Sequence, residues 1–216
     1  KGVFNLVTGD GTTGSELVNH EGISKIAFTG STSVGKYIQN AVGERDIGLT
    51  LELGGKAANI VYNDAALDQA VEGVVNGIFF NQGHVCCAGS RLLLQEDIHD
   101  EFINKLEKRM QTLRVGNPLD KNTDIGAINS KEQLEKITSL VNEGVNDGGE
   151  LFQIECDLPS SGYWFRPSLF TNVQPSYNIA REEIFGPVLT TLTFRTPEEA
   201  VEIANNTEYG LSAGVW

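Results

Sequence analysis

Cys86 and Cys87, in the stretch Gly83-His84-Val85-Cys86-Cys87-Ala88-Gly89, carry the most reactive atoms of this sequence. They follow an apolar, helix-periodic run, and their Gly and Ala neighbours leave room for an electrophile to reach sulfur. Nucleophilic catalysis needs such a cysteine, because the accessible thiolate is the attacking species. The same residues also read as small buried hydrophobes, the common state of free cysteine. Glu52 is the second group, set in Leu49-Thr50-Leu51-Glu52-Leu53 just before Gly54-Gly55-Lys56. A strand-end carboxylate whose pKa is lifted by apolar neighbours takes the form of a general base. Alternation of Thr50 and Glu52 toward solvent reads equally well. Third, Thr29-Gly30-Ser31-Thr32 opens a helical pattern. Free backbone N–H groups and the positive dipole end there suit a phosphate. The spacing Gly30-x4-Gly35 is not the G-x-G-x-x-G dinucleotide fingerprint, so an ordinary strand-to-helix turn accounts for it too. Fourth, Arg181-Glu182-Glu183-Ile184-Phe185-Gly186-Pro187-Val188 joins two carboxylates, an aromatic ring and a Gly-Pro turn.

These groups need elements to hold them. Val3–Val7 reads as a short buried strand, followed by the glycine-rich turn 8–14 and a short helix through Leu17-Val18. Ile23–Phe28 reads as a strand, and a helix follows with Val34, Ile38 and Val42 on one face and Gly43 as its cap. Strand, glycine turn and helix in repetition is the grammar of a parallel α/β sheet. Asn59–Tyr62 is a further strand. Asp64 is placed to cap a helix carrying Leu67, Val71, Val74, Val75, Ile78 and Phe79. Gly73 and Gly77 inside it each cost about 1 kcal/mol relative to Ala, which points to close packing against neighbouring backbone. After the cysteine loop come the strand Arg91–Gln95 and an amphipathic helix opened by Asp97. Ser130-Lys131-Glu132-Gln133 and Thr196-Pro197-Glu198-Glu199 are capping boxes. The first opens a helix with Leu134, Ile137, Val141 and Val145 inward. Leu151–Ile154 and Phe165–Phe170 read as strands.

The 216 residues suit one large domain or one and a half small ones, and the formal net charge of −13 argues against nucleic acid or an anionic membrane surface as partner. No apolar run is long enough to span a bilayer. Three cysteines, two adjacent, form no disulfide framework, so a reducing compartment is expected: the cytoplasm or one such as the mitochondrial matrix. Cys156 reads as incidental. His20, His84 and His99 show no metal-ligand spacing, so no metal is expected. Both ends look cut within apolar runs, and the sequence is expected to be a piece of a longer polypeptide.

Phe28-Thr29-Gly30-Ser31-Thr32 with Gly35, Glu52-Leu53-Gly54-Gly55-Lys56, Gly83-x-x-Cys86-x-Ala88-Gly89 and Arg181–Val188 stand in one order. Together they closely resemble the aldehyde dehydrogenase superfamily along essentially the whole chain. The resemblance implies an α/β fold: the second half of a Rossmann-type cofactor domain over 1–54, and most of an α/β catalytic domain over 55–216. It implies that Cys86 rather than Cys87 is the nucleophile and that Glu52 is the general base. Ser31 after Gly30 matches the residue beside the dinucleotide pyrophosphate. Glu183 and Phe185 match the residues at the nicotinamide ribose and ring. Gly11, Leu53 and Lys136 are carried as further cofactor contacts. Many members have Gln where this chain has His84, which is expected to face solvent. The family's oxyanion asparagine and adenosine-ribose lysine are expected before Lys1, and its oligomerisation strand after Trp216.

The implied reaction is NAD-dependent oxidation of a small-molecule aldehyde to a carboxylic acid, with NADP left open. Cys86 would form a thiohemiacetal and then a thioester, which water activated by Glu52 would hydrolyse. A homodimer or homotetramer is implied for the full-length protein. Two rivals stand beside this reading: an esterase or acyl-transferring variant of the fold, and a catalytically silent fragment or scaffold domain.

Overall fold

Parallel strands must be covered on both faces, and the longest apolar stretches of this chain meet that requirement in its larger part. The computed structural model describes residues 2–216 and divides into a first unit that runs to Gly54 and a second from Gly55 to Trp216.

The first unit contains α1 (Gly11–Asn19), β1 (Lys25–Thr29), α2 (Thr32–Val42) and β2 (Gly48–Glu52). β1 and β2 pair in parallel, from Lys25 opposite Gly48 to Thr29 opposite Glu52. Val18 of α1 with Ile38 and Val42 of α2 make a small core, against which Ile26, Phe28, Leu49 and Leu51 pack. Ser31 caps α2 through its side-chain oxygen, which accepts the Val34 N–H. Gly43 ends α2 in a right-handed conformation, so no left-handed cap is formed there. Several expectations change. Asp10 caps α1 within the glycine-rich stretch, so Gly11 and Gly14 are helical. Val3–Val7 forms no strand, and Val3 and Phe4 are 97% and 86% exposed, because no strand among the described residues pairs with that run. Val34 lies outward while Gly35 takes the inner position.

The second unit is a six-stranded sheet between two helical layers. Its elements are β3 (Ala58–Val61), α3 (Leu67–Phe79), β4 (Arg91–Gln95), α4 (His99–Met110), α5 (Lys131–Asn146), β5 (Glu150–Gln153), β6 (Ser168–Thr171), α6 (Asn178–Arg181), β7 (Val188–Phe194), α7 (Pro197–Asn205) and β8 (Ala213–Val215). The strand order is β5-β6-β7-β4-β3-β8, parallel throughout except for the antiparallel pair β5–β6. β4 shows how its sequence builds the centre. Leu92 and Leu94 enter the core with Val74, Ile78, Phe102, Leu106 and Met110 of α3 and α4. Leu93 points to the other face, with Ile137, Val141, Ile179 and Ala200 of α5, α6 and α7. Each such leucine contributes about 2 kcal/mol of burial free energy.

Local signals were overridden where side chains found other partners. α3 is capped at Ala66 without a side-chain bond, because Tyr62–Ala65 makes a turn that leaves Asp64 two residues early. Asp97 accepts from Asn63 Nδ2 at 2.8 Å, and α4 begins only at His99, after one tight turn. Val145 of α5 is exposed and Gly144 takes the inner position. The expected tight packing at Gly73 is present, but the Trp216 ring rather than backbone lies where a side chain would go. That ring is pinned by its Nε1–H donating to Asn59 Oδ1 at 2.8 Å.

Candidate active site

The register of the second unit aligns Ala58 of β3 with Arg91 of β4 and Ala213 of β8, and Arg91 with Thr190 of β7. These parallel strands therefore start at one edge of the sheet. The segments that lead into them, Gly55–Ala57, Gly83–Ser90, Glu183–Pro187 and Gly210–Ser212, gather there.

The cysteine segment begins where α3 ends. Asn81 and Gln82 adopt left-handed conformations (φ 50° and 47°), as does Gly83 (φ 76°). Left-handed non-glycine residues cost about 1 kcal/mol or more each, so packing must hold this turn. It does so at Gly83, whose Cα lies against the Gly186 carbonyl, leaving no room for a Cβ. His84 N–H donates to the Asn81 carbonyl at 2.9 Å, and Asn81 Nδ2 donates to the His84 carbonyl at 3.1 Å. Cys86 is half-buried and Cys87 exposed, and both are free thiols. Gly55 sits so close to the Cys86 carbonyl that any side chain there would overlap it. Ser212 Oγ–H donates to the Cys87 carbonyl at 3.2 Å.

Glu183 is half-buried, and its Oε1 accepts the Gly55 N–H at 3.0 Å. Phe185 follows with φ 54°, again left-handed without being glycine. Gln133, in the first turn of α5, clamps this strained backbone: its Nε2 donates to the carbonyls of Ile184 at 2.8 Å and Phe185 at 3.1 Å. The Ser130 cap explains why Gln133 is available, since Ser130 accepts the Gln133 backbone N–H and fixes the start of the helix. Ile137 packs on Gly186 from the same helix. Lys136, between them, is exposed.

Two buried cations lie behind the site. Arg91 is 3% exposed, with Nε donating to the Lys56 carbonyl, Nη1 to the Ile203 carbonyl and Nη2 to the Ala204 carbonyl. It thus ties the segment before β3 to the end of α7. Lys56 is 1% exposed and its Nζ has no hydrogen-bond partner among the described residues. Burial first, then the charge of Arg91, pushes its pKa down to about 7, while Glu183 and Glu182 oppose that shift. The Lys56 side chain borders a cavity of about 310 Å³ with Arg91, Thr207, Tyr209 and Ser212.

In the first unit, Gly30 N–H donates to the Glu52 carbonyl at 3.0 Å, which brings the ends of β1 and β2 together. Glu52 itself is exposed, so the expected apolar surroundings are not found and its side chain follows the outward alternation of β2. Ser31 is exposed at the N-terminus of α2, and Leu53 is half-buried with Gly35 pressed against its side chain. Gly11 lies exposed at the start of α1, with open space around it.

The structure therefore brings Cys86, Glu183 and Phe185 together, and separately Gly30, Ser31, Glu52 and Leu53. The roles of Gln133 and Arg91 and the isolation of Lys56 emerge only in the fold. An Arg and a Lys opening otherwise apolar strand runs were the available signal. His84 is also not the solvent-facing side chain expected: its ring stacks on Phe185, and Nε2 is buried. Among the described residues no group of His, Cys, Asp and Glu side chains could hold a metal ion, and no helix is long and apolar enough to cross a membrane.

Glu183 also supplies a test of fit for a dinucleotide. Its Oε1 is held by Gly55, which leaves its second oxygen to accept from a ribose hydroxyl. Phe185 offers an aromatic ring, stacked on that of His84. The residues present fit the nicotinamide riboside half of such a cofactor.

A family model described as the aldehyde dehydrogenase family matches residues 1–216. A relative from Bacillus subtilis (strain 168), DhaS, is 44% identical over 100% of this chain and 44% of its own length. The crystal structure of an NAD-dependent aldehyde dehydrogenase from Sinorhizobium meliloti is 43% identical with a TM-score of 0.96, covering 100% of this chain and 43% of that one. An aldehyde dehydrogenase from Bacillus cereus, solved in complex with NAD+, is 41% identical with a TM-score of 0.90, covering 94% and 41%. The chain thus spans less than half the length of these relatives.

Proposed function

The chain belongs to the aldehyde dehydrogenase family, and from that premise we propose that it carries the nucleophile, the general base and part of the cofactor site of an NAD-dependent enzyme that oxidises an aldehyde to a carboxylic acid. One observation carries this reading. Glu183, the residue proposed for the cofactor ribose, bonds to Gly55, and Gly55 is packed on the backbone of Cys86. The group that would seat the cofactor and the group that would attack substrate share one rigid support.

The proposed roles follow from residue chemistry. The Cys86 thiolate attacks the aldehyde carbonyl and forms a tetrahedral thiohemiacetal. NAD, when bound, supplies the hydride acceptor. Loss of hydride from the thiohemiacetal leaves an acyl thioester on Cys86. Glu52 then takes a proton from water, whose oxygen attacks the thioester carbonyl, releasing the acid and the thiolate. Balanced, aldehyde, water and NAD+ give carboxylate, NADH and two protons. Glu183 holds the nicotinamide ribose and Phe185 faces the ring. Gly30 and Ser31 at the start of α2 serve the pyrophosphate, with Gly11, Leu53 and Lys136 as further contacts. Residues 1–54 act as part of the cofactor domain, 55–216 as most of the catalytic domain, and the full-length protein as a homo-oligomer in a reducing compartment such as the cytoplasm.

The test is NAD-dependent turnover of a panel of aldehydes by the full-length protein, with acid and NADH formed one to one. NADH without acid would point to acyl transfer, and acid without NADH to an esterase. Either result refutes the reading.

A further inference from the structure

His84 is half-buried against Phe185, and hydrogen bonds do little to hold its ring. Its Nε2 has no partner among the described residues, and its Nδ1 has only a 3.4 Å contact with Gln82 Nε2. What the ring does have is the face of Phe185, with centroids 5.2 Å apart and planes 10° from parallel. That is an offset stack, the arrangement in which two aromatic rings attract. The two rings come from different loops, and both loops hold left-handed non-glycine residues: Asn81 and Gln82 before His84, and Phe185 itself. Gly83 against Gly186 makes the adjacent contact between the same loops.

From this geometry we propose that His84 is a positioning residue for the cofactor, acting through Phe185: its ring backs the aromatic that faces the nicotinamide. The inference rests on the role proposed above for Phe185. It assigns the work to the flat apolar face of the imidazole rather than to a ring nitrogen. Burial lowers the pKa of His84 below the ordinary imidazole value, in keeping with a neutral ring. Without the backing ring, Phe185 can leave the orientation in which it meets the nicotinamide, because Gln133 holds its backbone and not its ring. The cofactor then loses an ordered partner.

The experiment compares His84→Ala and His84→Phe with wild type in the full-length protein. It reads KM and Kd for NAD, and the rate at which iodoacetamide alkylates Cys86 without cofactor. His84→Ala is expected to raise both NAD constants about three- to tenfold, the size of a lost aromatic contact. His84→Phe, which keeps a flat ring and discards both nitrogens, is expected to stay within about twofold of wild type on the same scale. Alkylation should be unchanged in both. Unchanged NAD constants in His84→Ala overturn the proposal. So does a His84→Phe variant as weak as the alanine one, since a nitrogen would then be at work. Altered alkylation in either variant would make His84 a structural support of the cysteine loop instead. If wild type binds no NAD, the proposed function falls and this inference with it; if it binds and the variants do not differ, only this inference falls.

Discussion

The amide of Gly55 donates to Glu183 Oε1 at 3.0 Å while the same glycine rests against the carbonyl of Cys86. Gly55→Ala would place a methyl group on backbone, which has no flexible end to move aside. The expected result is a loss of about 1–3 kcal/mol in urea unfolding. With it should come a rise in KM for NAD and slower alkylation of Cys86, because both supports shift together. An alanine variant changed in only one of these would separate the two sites.

Cys86 and Cys87 are adjacent yet differ in setting, half-buried against exposed. Cys86→Ser should lower aldehyde oxidation by at least about a thousandfold, as removal of a covalent nucleophile does. Cys87→Ser, at an exposed position, should stay within about twofold. Equal losses in steady-state assays of the two variants would remove the preference for Cys86.

Glu52→Gln should leave the first hydride transfer intact and slow the release of acid, since only deacylation needs its proton transfer. Stopped-flow absorbance should show a burst of NADH followed by a slow steady rate. Disappearance of the burst would place Glu52 before hydride transfer.

Lys56 gives a pH signature. Its pKa falls from 10.5 to about 7 on folding. Between those values the unfolded chain binds a proton that the folded protein does not. Stability therefore rises with pH across that window, by at most about 1.4 kcal/mol per unit, and this slope ends below pH ~7, where both states are protonated. Lys56→Met removes the slope. The variant should be more stable than wild type near pH 7, and the gap should narrow as pH rises toward the unfolded value. Urea melts from neutral to alkaline pH check this. Parallel curves would mean that Lys56 has a partner when the protein folds.

Sequence alone determined the elements whose pattern is local. β4 occupies Arg91–Gln95 as expected, because a run of apolar residues can be buried on both faces whatever packs there. The Ser130 and Thr196 caps bond as their spacing dictates, since a cap reaches only three residues along its own chain. The order of motifs from Gly30 to Phe185 likewise identified the family. Tertiary structure decided the rest. Asp64 and Asp97 had caps to make, but a turn displaced one and Asn63 took the other. Val3–Val7 had strand composition but, among the described residues, no strand to pair with. His84 met Phe185, and Glu183 met Gly55, across separations of 101 and 128 residues. No spacing rule reaches that far along a chain. Such pairs exist only because β3, β4 and β7 run parallel and begin at the same edge of the sheet, which sets three distant loops side by side.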